Sequence, residues 1–205
     1  MVRIILGWAF GVLILPLTAG CQHDAPVGEA ELPDLRSVTL DEVEPPLAEL
    51  LDRFQLEPAS IRFHVDKSDR TFSVLVGDER LRTYPCVLGE RPVGDKFHQG
   101  DRRTPEGTFM FRSKRVHSAW HKFIWLDYPN AESWKRFNTR RAAGLIPAGR
   151  DIGGEVGIHG VPEGHDDWID LGEDWTWGCI ALKNHHVDEI YPYVVPMRTT
   201  ITIVP

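Results

Sequence analysis

Two short segments carry residues that can perform chemistry together. Cys179 lies in the segment Thr176-Trp177-Gly178-Cys179-Ile180-Ala181-Leu182, and His159 lies 20 residues upstream in Gly157-Ile158-His159-Gly160. A thiol attacks carbonyls as the thiolate, so a nucleophilic cysteine needs a base, and histidine can serve as one. Glycine beside each group lets a substrate backbone approach and lets main-chain N–H groups point at an oxyanion. Taken alone, the pair is weak evidence and favours a core cysteine with an unrelated histidine.

Alternation of apolar and polar residues predicts that both segments lie on β-strands. Alternating runs begin at Ile61 and recur along the chain, and many short strands with few helices indicate a mostly β sandwich or barrel. The loop from Val161 to Trp177 would fold back and bring two neighbouring strand ends together, one carrying His159 and the other Cys179. The predicted strands cover residues 61–65, 72–76, 81–87, 108–111, 123–126, 156–159, 179–182 and 200–204.

Three helices are predicted around these strands. Residues 47–54 place apolar side chains at helical spacing behind two prolines, which predicts a short amphipathic helix that covers the domain. Residues 131–143 predict a surface helix. Residues 185–194 predict another helix, with Asn184 as its N-cap.

The tryptophans are concentrated in one part of the chain. Six of the seven lie between positions 120 and 177, which allows either a cleft for sugar or peptide or simple core packing. We expect Trp175 and Trp177, which flank Thr176, to line a cleft. Trp125 and Trp134 are expected in the core.

The N-terminal segment predicts export from the cytoplasm. Arg3 is followed by an uncharged apolar stretch up to Leu17 and by small residues before Cys21, which is the pattern of a secretory signal. Small residues directly before a cysteine also resemble a bacterial lipobox, although Thr18 stands where that motif usually has leucine. Cys21 is therefore the expected lipidation site. A plain cleaved signal or an uncleaved anchor would leave the domain in the same compartment.

These observations predict the domain organisation and the partners. We expect a signal peptide in 1–20, a tether in 21–40, an N-terminal helical segment in 41–58 and a catalytic domain in 59–205. The protein is expected in the periplasm or cell envelope, held to the membrane by its lipid anchor. A formal net charge of -7 argues against nucleic acid as a partner. Cys86 lies in a strand-like run and is expected to be a buried free thiol, although an oxidising compartment permits a disulfide with Cys179.

Four segments in order resemble the L,D-transpeptidase catalytic domain, the YkuD family. They are residues 104–109 (Thr-Pro-Glu-Gly-Thr-Phe), 126–130 (Leu-Asp-Tyr-Pro-Asn) and the two segments that contain His159 and Cys179. The resemblance covers roughly Ile61 to Val204. It implies an L,D-transpeptidase-like β-sandwich with a few short helices, acting in cell wall biogenesis and cell shape without a cofactor.

The resemblance also implies roles for individual residues. Cys179 would be the nucleophile and His159 the base, with the carbonyl of Gly160 as the third element. Main-chain amides near Trp177, Gly178 and Cys179 would form the oxyanion hole. The substrate would be a peptidoglycan stem peptide, attacked between an L- and a D-configured centre.

Two residues depart from the family's commonest motif. Trp177 stands where histidine is usual, and Ala181 stands where arginine is usual. Loss of that cation leaves the leaving group and the acceptor open. The alternative to transfer is therefore hydrolysis at the same site, by an L,D-carboxypeptidase or hydrolase of peptidoglycan or of protein–peptidoglycan links. Candidate substrate-binding residues are Thr176, Arg102 and Tyr128.

Two other function classes are kept as alternatives. A zinc peptidase would need ligands drawn from His159, His165-Asp166-Asp167 and His185-His186, but no tight metal-binding spacing is present. The other class is a non-catalytic wall-binding lipoprotein. The basic residues Lys96, Arg102 and Arg103 suit either a carboxylate-binding loop or a solvated charged loop.

Overall fold

A computed structural model describes residues 45–205 of the protein. The predicted signal peptide, the tether, the lipidation site at Cys21 and the first residues of the 41–58 segment lie outside the described residues. None of the helices in 45–205 has the length and apolar character needed to cross a membrane.

Eight strands form one curled sheet in the described part of the chain, which confirms the predicted mostly β fold. The strands lie in the order β3-β2-β1-β8-β4-β5-β6-β7. Their bounds are β1 Ile61–Asp66, β2 Thr71–Val76, β3 Glu79–Pro85, β4 Gly107–His117, β5 His121–Leu126, β6 Gly157–His159, β7 Ile180–Ala181 and β8 Thr200–Val204.

The long strand β4 belongs to both halves of the sheet. Its first residues pair antiparallel with β8, from Gly107 with Ile203 onward. Its later residues pair antiparallel with β5, and the register shifts between Phe111 and Ser113. A register irregularity of this kind bends a strand and increases its twist. The bend turns the second half of the sheet over the first.

The curl brings the two ends of the sheet together. Val87, just after β3, forms an antiparallel bridge with Ala181 of β7, with N–H to carbonyl distances of 3.0 and 2.9 Å. Gly89 forms a parallel bridge with Thr176. The chain that leaves one edge of the sheet therefore supports the segment that carries Cys179.

The core lies inside the curl and is rich in phenylalanine. The Phe63 ring packs 5.2 Å from that of Phe72 and edge-on against that of Phe111 at 5.8 Å, measured between centroids. The alternation of buried residues along β1 follows the period of two that the sequence shows. Burial of this face is the main stabilisation of the sheet that positions the site.

Four α-helices pack around the sheet within 45–205: α1 Leu47–Arg53, α2 Ala131–Ala142, α3 Asp167–Asp170 and α4 Asn184–Ile190. Glu189 of α4 ties α1 to the domain, because its carboxylate accepts the Leu47 N–H at 2.5 Å and the Tyr84 hydroxyl at 2.7 Å. The first N–H groups of a helix have no partner within it, so a carboxylate there is favourable.

Three sequence predictions about packing are wrong. Asn184 is the first residue of α4 and Lys183 is the N-cap, because the Asn184 side chain is used elsewhere: its Oδ1 accepts the Val161 N–H at 2.9 Å. Trp134 is exposed on α2. Trp125 is only partly buried, since its indole N–H reaches outward to Glu155 at 2.8 Å.

Candidate active site

The pairing of β6 with β7 places the histidine and the cysteine on one face of the sheet. The two strands are parallel, with Ile158 beside Ile180 and His159 beside Ala181. Continuing this register places Cys179 beside Gly157. Because side chains alternate along a strand, residues two apart share a face. His159 and Cys179 are therefore diagonal neighbours on adjacent strands, with Cα atoms roughly 8 Å apart from standard strand spacings.

Gly157 leaves room for the Phe123 ring beside these two side chains. A Cβ at this position would lie 2.3 Å from the Phe123 ring and 2.5 Å from the Ile124 carbonyl oxygen. Any other residue would push the Phe123 ring away. That ring stacks on the imidazole of His159 at 5.4 Å, so the glycine permits the position that the histidine adopts.

Three aromatic rings surround the imidazole, and we call Trp120, Phe123 and Trp175 the histidine wall. Trp120 and Trp175 lie 5.1 and 5.7 Å from the ring centroid of His159 and stack on each other at 5.5 Å. His159 is only 4% exposed as a result. Trp175 thus contributes to the site, while Trp120 and Phe123 are members that the sequence reasoning did not identify.

Burial and one hydrogen bond set the state of His159. Burial lowers its pKa to about 4; the Gly160 carbonyl acts to raise that pKa and His117 to lower it. Nδ1 lies 2.6 Å from the Gly160 carbonyl oxygen, and because a carbonyl only accepts, Nδ1 must carry the hydrogen. The neutral ring therefore presents an unprotonated Nε2, which is the form a general base requires.

The thiol of Cys179 is also neutral at neutral pH. Burial raises its pKa to about 11, opposed by the Gly157 N–H and by Lys96, while Glu155 adds to the rise. Its Sγ lies 3.6 Å from the Glu155 carbonyl oxygen. Within residues 45–205 no hydrogen bond joins Sγ to the imidazole of His159. Catalytic contacts often tighten only when substrate is bound.

A tight turn before Cys179 is held from inside by Thr176. Its buried hydroxyl donates to the Cys179 carbonyl at 2.7 Å and accepts the Gly178 N–H at 3.1 Å. Gly178 adopts φ +128°, and a Cβ there would lie 2.7 Å from the Arg103 carbonyl oxygen. The structure therefore places the Thr176 side chain inside the turn and away from any substrate surface. The Gly178 N–H is likewise engaged within the turn.

Residues 89–106, which we call the charged loop, lie directly behind this turn. A Cβ on Gly89 would lie 2.3 Å from the Arg102 carbonyl oxygen and 3.1 Å from the Gly178 Cα. The Gly89 N–H donates to Thr104 Oγ1 at 3.0 Å. The Thr-Pro-Glu-Gly motif thus holds the chain that supports the cysteine turn. No pattern in the sequence pointed to Gly89, whose importance arises from a close approach between distant segments.

Arg102 and Trp177 form the exposed edge of the site on the cysteine side. The guanidinium carbon lies 4.0 Å from the centroid of the Trp177 ring, which is 73% exposed. Arg102 also forms an ion pair with Glu90 at 2.8 Å. Planar stacking of this kind is a favourable cation–π arrangement. The structure therefore places a cation beside the cysteine turn although position 181 has none.

The alanine at position 181 has a packing explanation. Ala181 is fully buried in a small cluster with Val87, Val161 and Ile169. A guanidinium at that position would be buried without water, and its desolvation would be costly. The predicted substrate residue Tyr128 is also buried, and its hydroxyl donates to the Ile152 carbonyl at 3.3 Å. Tyr128 is 4% exposed, and its role as a substrate-binding residue stays a prediction.

The cysteines and the metal candidates occupy separate environments. Cys86 and Cys179 are both free, and Cys86 is buried in the core, as the sequence predicted. Among residues 45–205 no three His, Cys, Asp or Glu side chains converge into a group that could hold a metal ion. The zinc peptidase alternative therefore has no ligand set in this part of the chain.

Comparisons with known proteins cover most of the chain. A family model, YkuD: L,D-transpeptidase catalytic domain, matches residues 60–203. No curated protein matches the chain. The fold is similar to the helical cell shape determining protein Pgp2 from Campylobacter jejuni, with 23% identity and a TM-score of 0.52 over 70% of this chain and 47% of that one.

Two further solved structures match. Bd1075 from Bdellovibrio bacteriovorus has 21% identity and a TM-score of 0.50 over 71% of this chain and 48% of that one. An L,D-transpeptidase from Mycobacterium smegmatis has 17% identity and a TM-score of 0.46 over 71% and 59%. This chain thus spans about half the length of Pgp2 and Bd1075. At these identities the likeness to those two shows a shared fold.

The family match includes both segments with which the sequence analysis began. It extends from the start of β1 into β8, so it covers the whole sheet that carries His159 and Cys179. The match accounts for well over half of the chain. This protein therefore belongs to the YkuD family of L,D-transpeptidase catalytic domains.

Proposed function

We propose that Cys179 and His159 carry out acyl transfer on peptidoglycan stem peptides. The observation that carries the proposal is the parallel register of β6 and β7, which sets the two side chains on one face. The hydrogen bond from His159 Nδ1 to the Gly160 carbonyl supports it, because it leaves Nε2 free to accept a proton.

Four proton and bond changes make up the reaction. Cys179 Sγ forms a bond to the carbonyl carbon between the L- and D-configured centres, and its proton passes to His159 Nε2. The tetrahedral intermediate collapses, the C–N bond breaks, and the leaving amine of the D-residue takes the proton from His159. An acceptor amine then attacks the thioester and gives its proton to His159. Collapse of the second intermediate breaks the C–S bond, and His159 returns the proton to the departing sulfur.

The neutral resting pair suits this sequence of steps. With the pKa of His159 near 4 and that of Cys179 near 11, the free enzyme holds neither charge at pH 7. Charge separation then develops only as the thiol attacks, and groups that stabilise the developing charges raise the rate. Of the three amides in the oxyanion prediction, the Gly178 N–H is engaged by Thr176. The proposed donors are therefore the N–H groups of Trp177 and Cys179.

Arg102 is the proposed partner for the carboxylate of the departing D-residue. Its side chain is stacked on Trp177, two residues before the nucleophile. Its present partner, Glu90, is about half exposed; exposed pairs of this kind contribute roughly 1 kcal/mol or less, so a substrate carboxylate can replace it. Arg102 would thereby supply the cation that Ala181 does not.

The hydrolytic alternative uses the same residues and differs only in its acceptor. In that case water attacks the thioester, and the product is a stem peptide shortened by one residue. Ala181 provides no cation that could hold the carboxylate of an acceptor peptide, and this absence favours hydrolysis over transfer. The proposed location is the cell envelope, supported by the secretory pattern before Cys21.

Product analysis tests the function directly. Purified protein is incubated with muropeptides that carry tetrapeptide stems, and the products are identified by mass spectrometry. Cross-linked dimers indicate transfer, whereas tripeptide stems with released D-amino acid indicate hydrolysis. We expect Cys179→Ala to abolish both products while Cys86→Ala retains them, because Cys86 is a core thiol. Undiminished turnover by Cys179→Ala would refute the proposal, and inhibition by a chelator would support a metallopeptidase.

Muropeptide binding tests the non-catalytic alternative. If wild-type protein and Cys179→Ala bind muropeptides equally and neither forms products, the chain acts as a wall-binding protein. Localisation is tested separately, by membrane fractionation of cells that express the protein or its Cys21→Ser variant. Release of Cys21→Ser from the membrane fraction is expected if Cys21 is lipidated.

A further inference from the structure

An ion pair between Lys96 and Asp101 is buried beneath the cysteine turn. Lys96 is 6% exposed and Asp101 is 7% exposed, and Lys96 Nζ lies 2.7 Å from Asp101 Oδ1. The sequence analysis allowed a carboxylate-binding loop or a solvated loop at this position, and burial contradicts both for Lys96. Buried pairs are expensive to desolvate and apolar residues often replace them without loss of stability. The pair therefore suggests a role beyond holding the fold.

The acidic partner is fully used within the charged loop. Asp101 accepts N–H groups from Phe97 at 2.5 Å, His98 at 3.2 Å and Arg103 at 3.1 Å, in addition to Lys96. Burial alone would raise the pKa of Asp101, but these hydrogen bonds and Lys96 lower it below its usual value. Asp101 is thus ionised, and its charge is spread over four donors.

The ammonium group, in contrast, reaches the turn that carries the nucleophile. Lys96 Nζ donates to the Arg103 carbonyl at 3.4 Å, the same carbonyl that leaves no room for a side chain on Gly178. A Cβ on Gly178 would itself lie 3.6 Å from Nζ. Since Gly178 directly precedes Cys179, the positive charge lies just behind the atoms on which negative charge develops.

We propose that Lys96 is an electrostatic positioning residue, whose buried ammonium stabilises the negative charge that develops at Cys179 during acyl transfer. The inference rests on the proposed function for its role in turnover. Two other groups act on the nucleophile: Glu155 opposes negative charge on Cys179, and His159 takes its proton. The guanidinium of Arg103 is directed instead toward the Asp95 carbonyl, at 3.3 Å. Arg102 lies on the exposed side of the turn, over Trp177, so among residues 45–205 Lys96 is the buried cation that contacts the backbone against the turn.

A second buried lysine provides a matched control. Lys67 is as buried as Lys96, forms a 2.7 Å ion pair with Glu106, and donates to the Gly94 and Thr104 carbonyls at 2.7 and 3.3 Å. It therefore also braces the charged loop. None of these partners belongs to the turn that carries Cys179. If Lys96 only braced the charged loop, replacing either lysine would have the same effect on Cys179.

The test measures the alkylation rate of Cys179 by iodoacetamide as a function of pH. Full-length protein is used, and mass spectrometry of the peptide that contains Cys179 separates its signal from those of Cys21 and Cys86. We expect Lys96→Met to lower the alkylation rate at pH 8 by about tenfold, which corresponds to a rise of one unit in the pKa of the thiol. Lys67→Met is expected to leave the profile unchanged.

The double variant Lys96→Met with Asp101→Asn covers the case in which an unpaired Asp101 unfolds the protein. It removes both charges while keeping similar volumes, and we expect a decrease in the same direction that is smaller than tenfold, because loss of the Asp101 carboxylate favours the thiolate. A wild-type profile in the folded double variant would overturn the proposal, as would an equal shift in Lys67→Met. Loss of folding in both Lys96→Met and the double variant would also overturn the proposal, because the ion pair would then be needed for structure.

Alkylation does not depend on substrate, so its result stands apart from the function assay. If wild-type protein forms no muropeptide product but Lys96→Met still slows alkylation, the proposed function fails and the role of Lys96 at the thiol remains. If turnover is present, kcat is expected to decrease about tenfold in Lys96→Met while KM is unchanged. An unchanged kcat would contradict the role in catalysis.

Discussion

The histidine wall and the charged loop hold the two sides of the site by different means. Around His159 the contacts are aromatic rings, and burial among them keeps the imidazole neutral. Behind Cys179 the contacts are carbonyls, backbone N–H groups and buried ion pairs, with glycines at the closest approaches. Burial has the largest effect on the pKa of both groups. The two sides differ in the contacts that fix their position, which are aromatic packing around the proposed base and close backbone and charged contacts behind the proposed nucleophile.

From this difference we expect the two sides to tolerate substitution differently. An aromatic wall can be thinned gradually, because each ring adds desolvation in proportion to the area it covers. At the cysteine turn the neighbouring backbone lies too close to Gly178 to admit a methyl group, so one added carbon must displace the turn. Substitutions on each side thus separate the two modes of control.

The largest effect is expected from removing the base. His159→Gln keeps a group of similar size within the histidine wall but cannot accept a proton. We expect kcat/KM for muropeptide turnover to decrease about 10³-fold, within the usual range for general base catalysis. A matched change outside the wall, His64→Gln on β1, should leave turnover unchanged. Residual activity within tenfold of wild type would show that the imidazole is not the base.

Acid should destabilise the protein through the same histidine. Burial depresses the pKa of His159 to about 4 from 6.5, so between these values the unfolded chain binds a proton that the folded protein excludes. The free energy of unfolding therefore decreases as pH is lowered from 6.5 toward 4, by about 3 kcal/mol from this residue. His186, also lowered to about 4 by burial, adds in the same direction.

Urea denaturation at pH 7 and pH 4.5 measures this dependence. His159→Gln should flatten part of it, because glutamine does not titrate. An unfolding free energy for wild type that rises on acidification would contradict the neutral, buried state of the ring.

The charged loop is tested by adding one carbon to the turn. Gly178→Ala introduces a Cβ 2.7 Å from the Arg103 carbonyl oxygen at a residue with φ +128°, so the turn must shift. We expect kcat/KM to decrease about 10²-fold, because misplacement by about an ångström has an effect of that size. Gly172→Ala, also at positive φ but with open space around it, controls for backbone strain. Equal losses in the two variants would assign the effect to strain.

The smallest effect concerns the exposed edge. Arg102→Gln removes the proposed carboxylate partner while glutamine can still pack on Trp177. We expect KM for tetrapeptide stems to rise about tenfold with little change in kcat, in accord with loss of a ground-state ion pair. Amidated stems, which lack the terminal carboxylate, should show no difference between the two proteins. A similar loss with both substrates would mean that Arg102 acts by packing.

Much of the fold was predictable because apolar and polar residues alternate along the strands. The runs at Ile61, Phe72 and Phe123 each became a strand, and the predicted mostly β fold is confirmed. The helices were less predictable at their ends, since Asn184 has a tertiary partner in the Val161 N–H that competes with capping. The exposure of Trp134 was not predictable either, because the sequence of a helix does not show whether another element packs over its aromatic residue.

The sequence by itself determined the family and indicated the two side chains of the proposed mechanism, because glycine, histidine and cysteine in those segments form a local pattern. Only the tertiary structure decided which residues support them. Gly89, Lys96 and Trp120 are distant in sequence from Cys179 or His159 and act through close approach or burial, which depend on how the sheet curls. The opposite holds for Thr176 and Tyr128, which the motifs suggested for substrate but which packing turns inward.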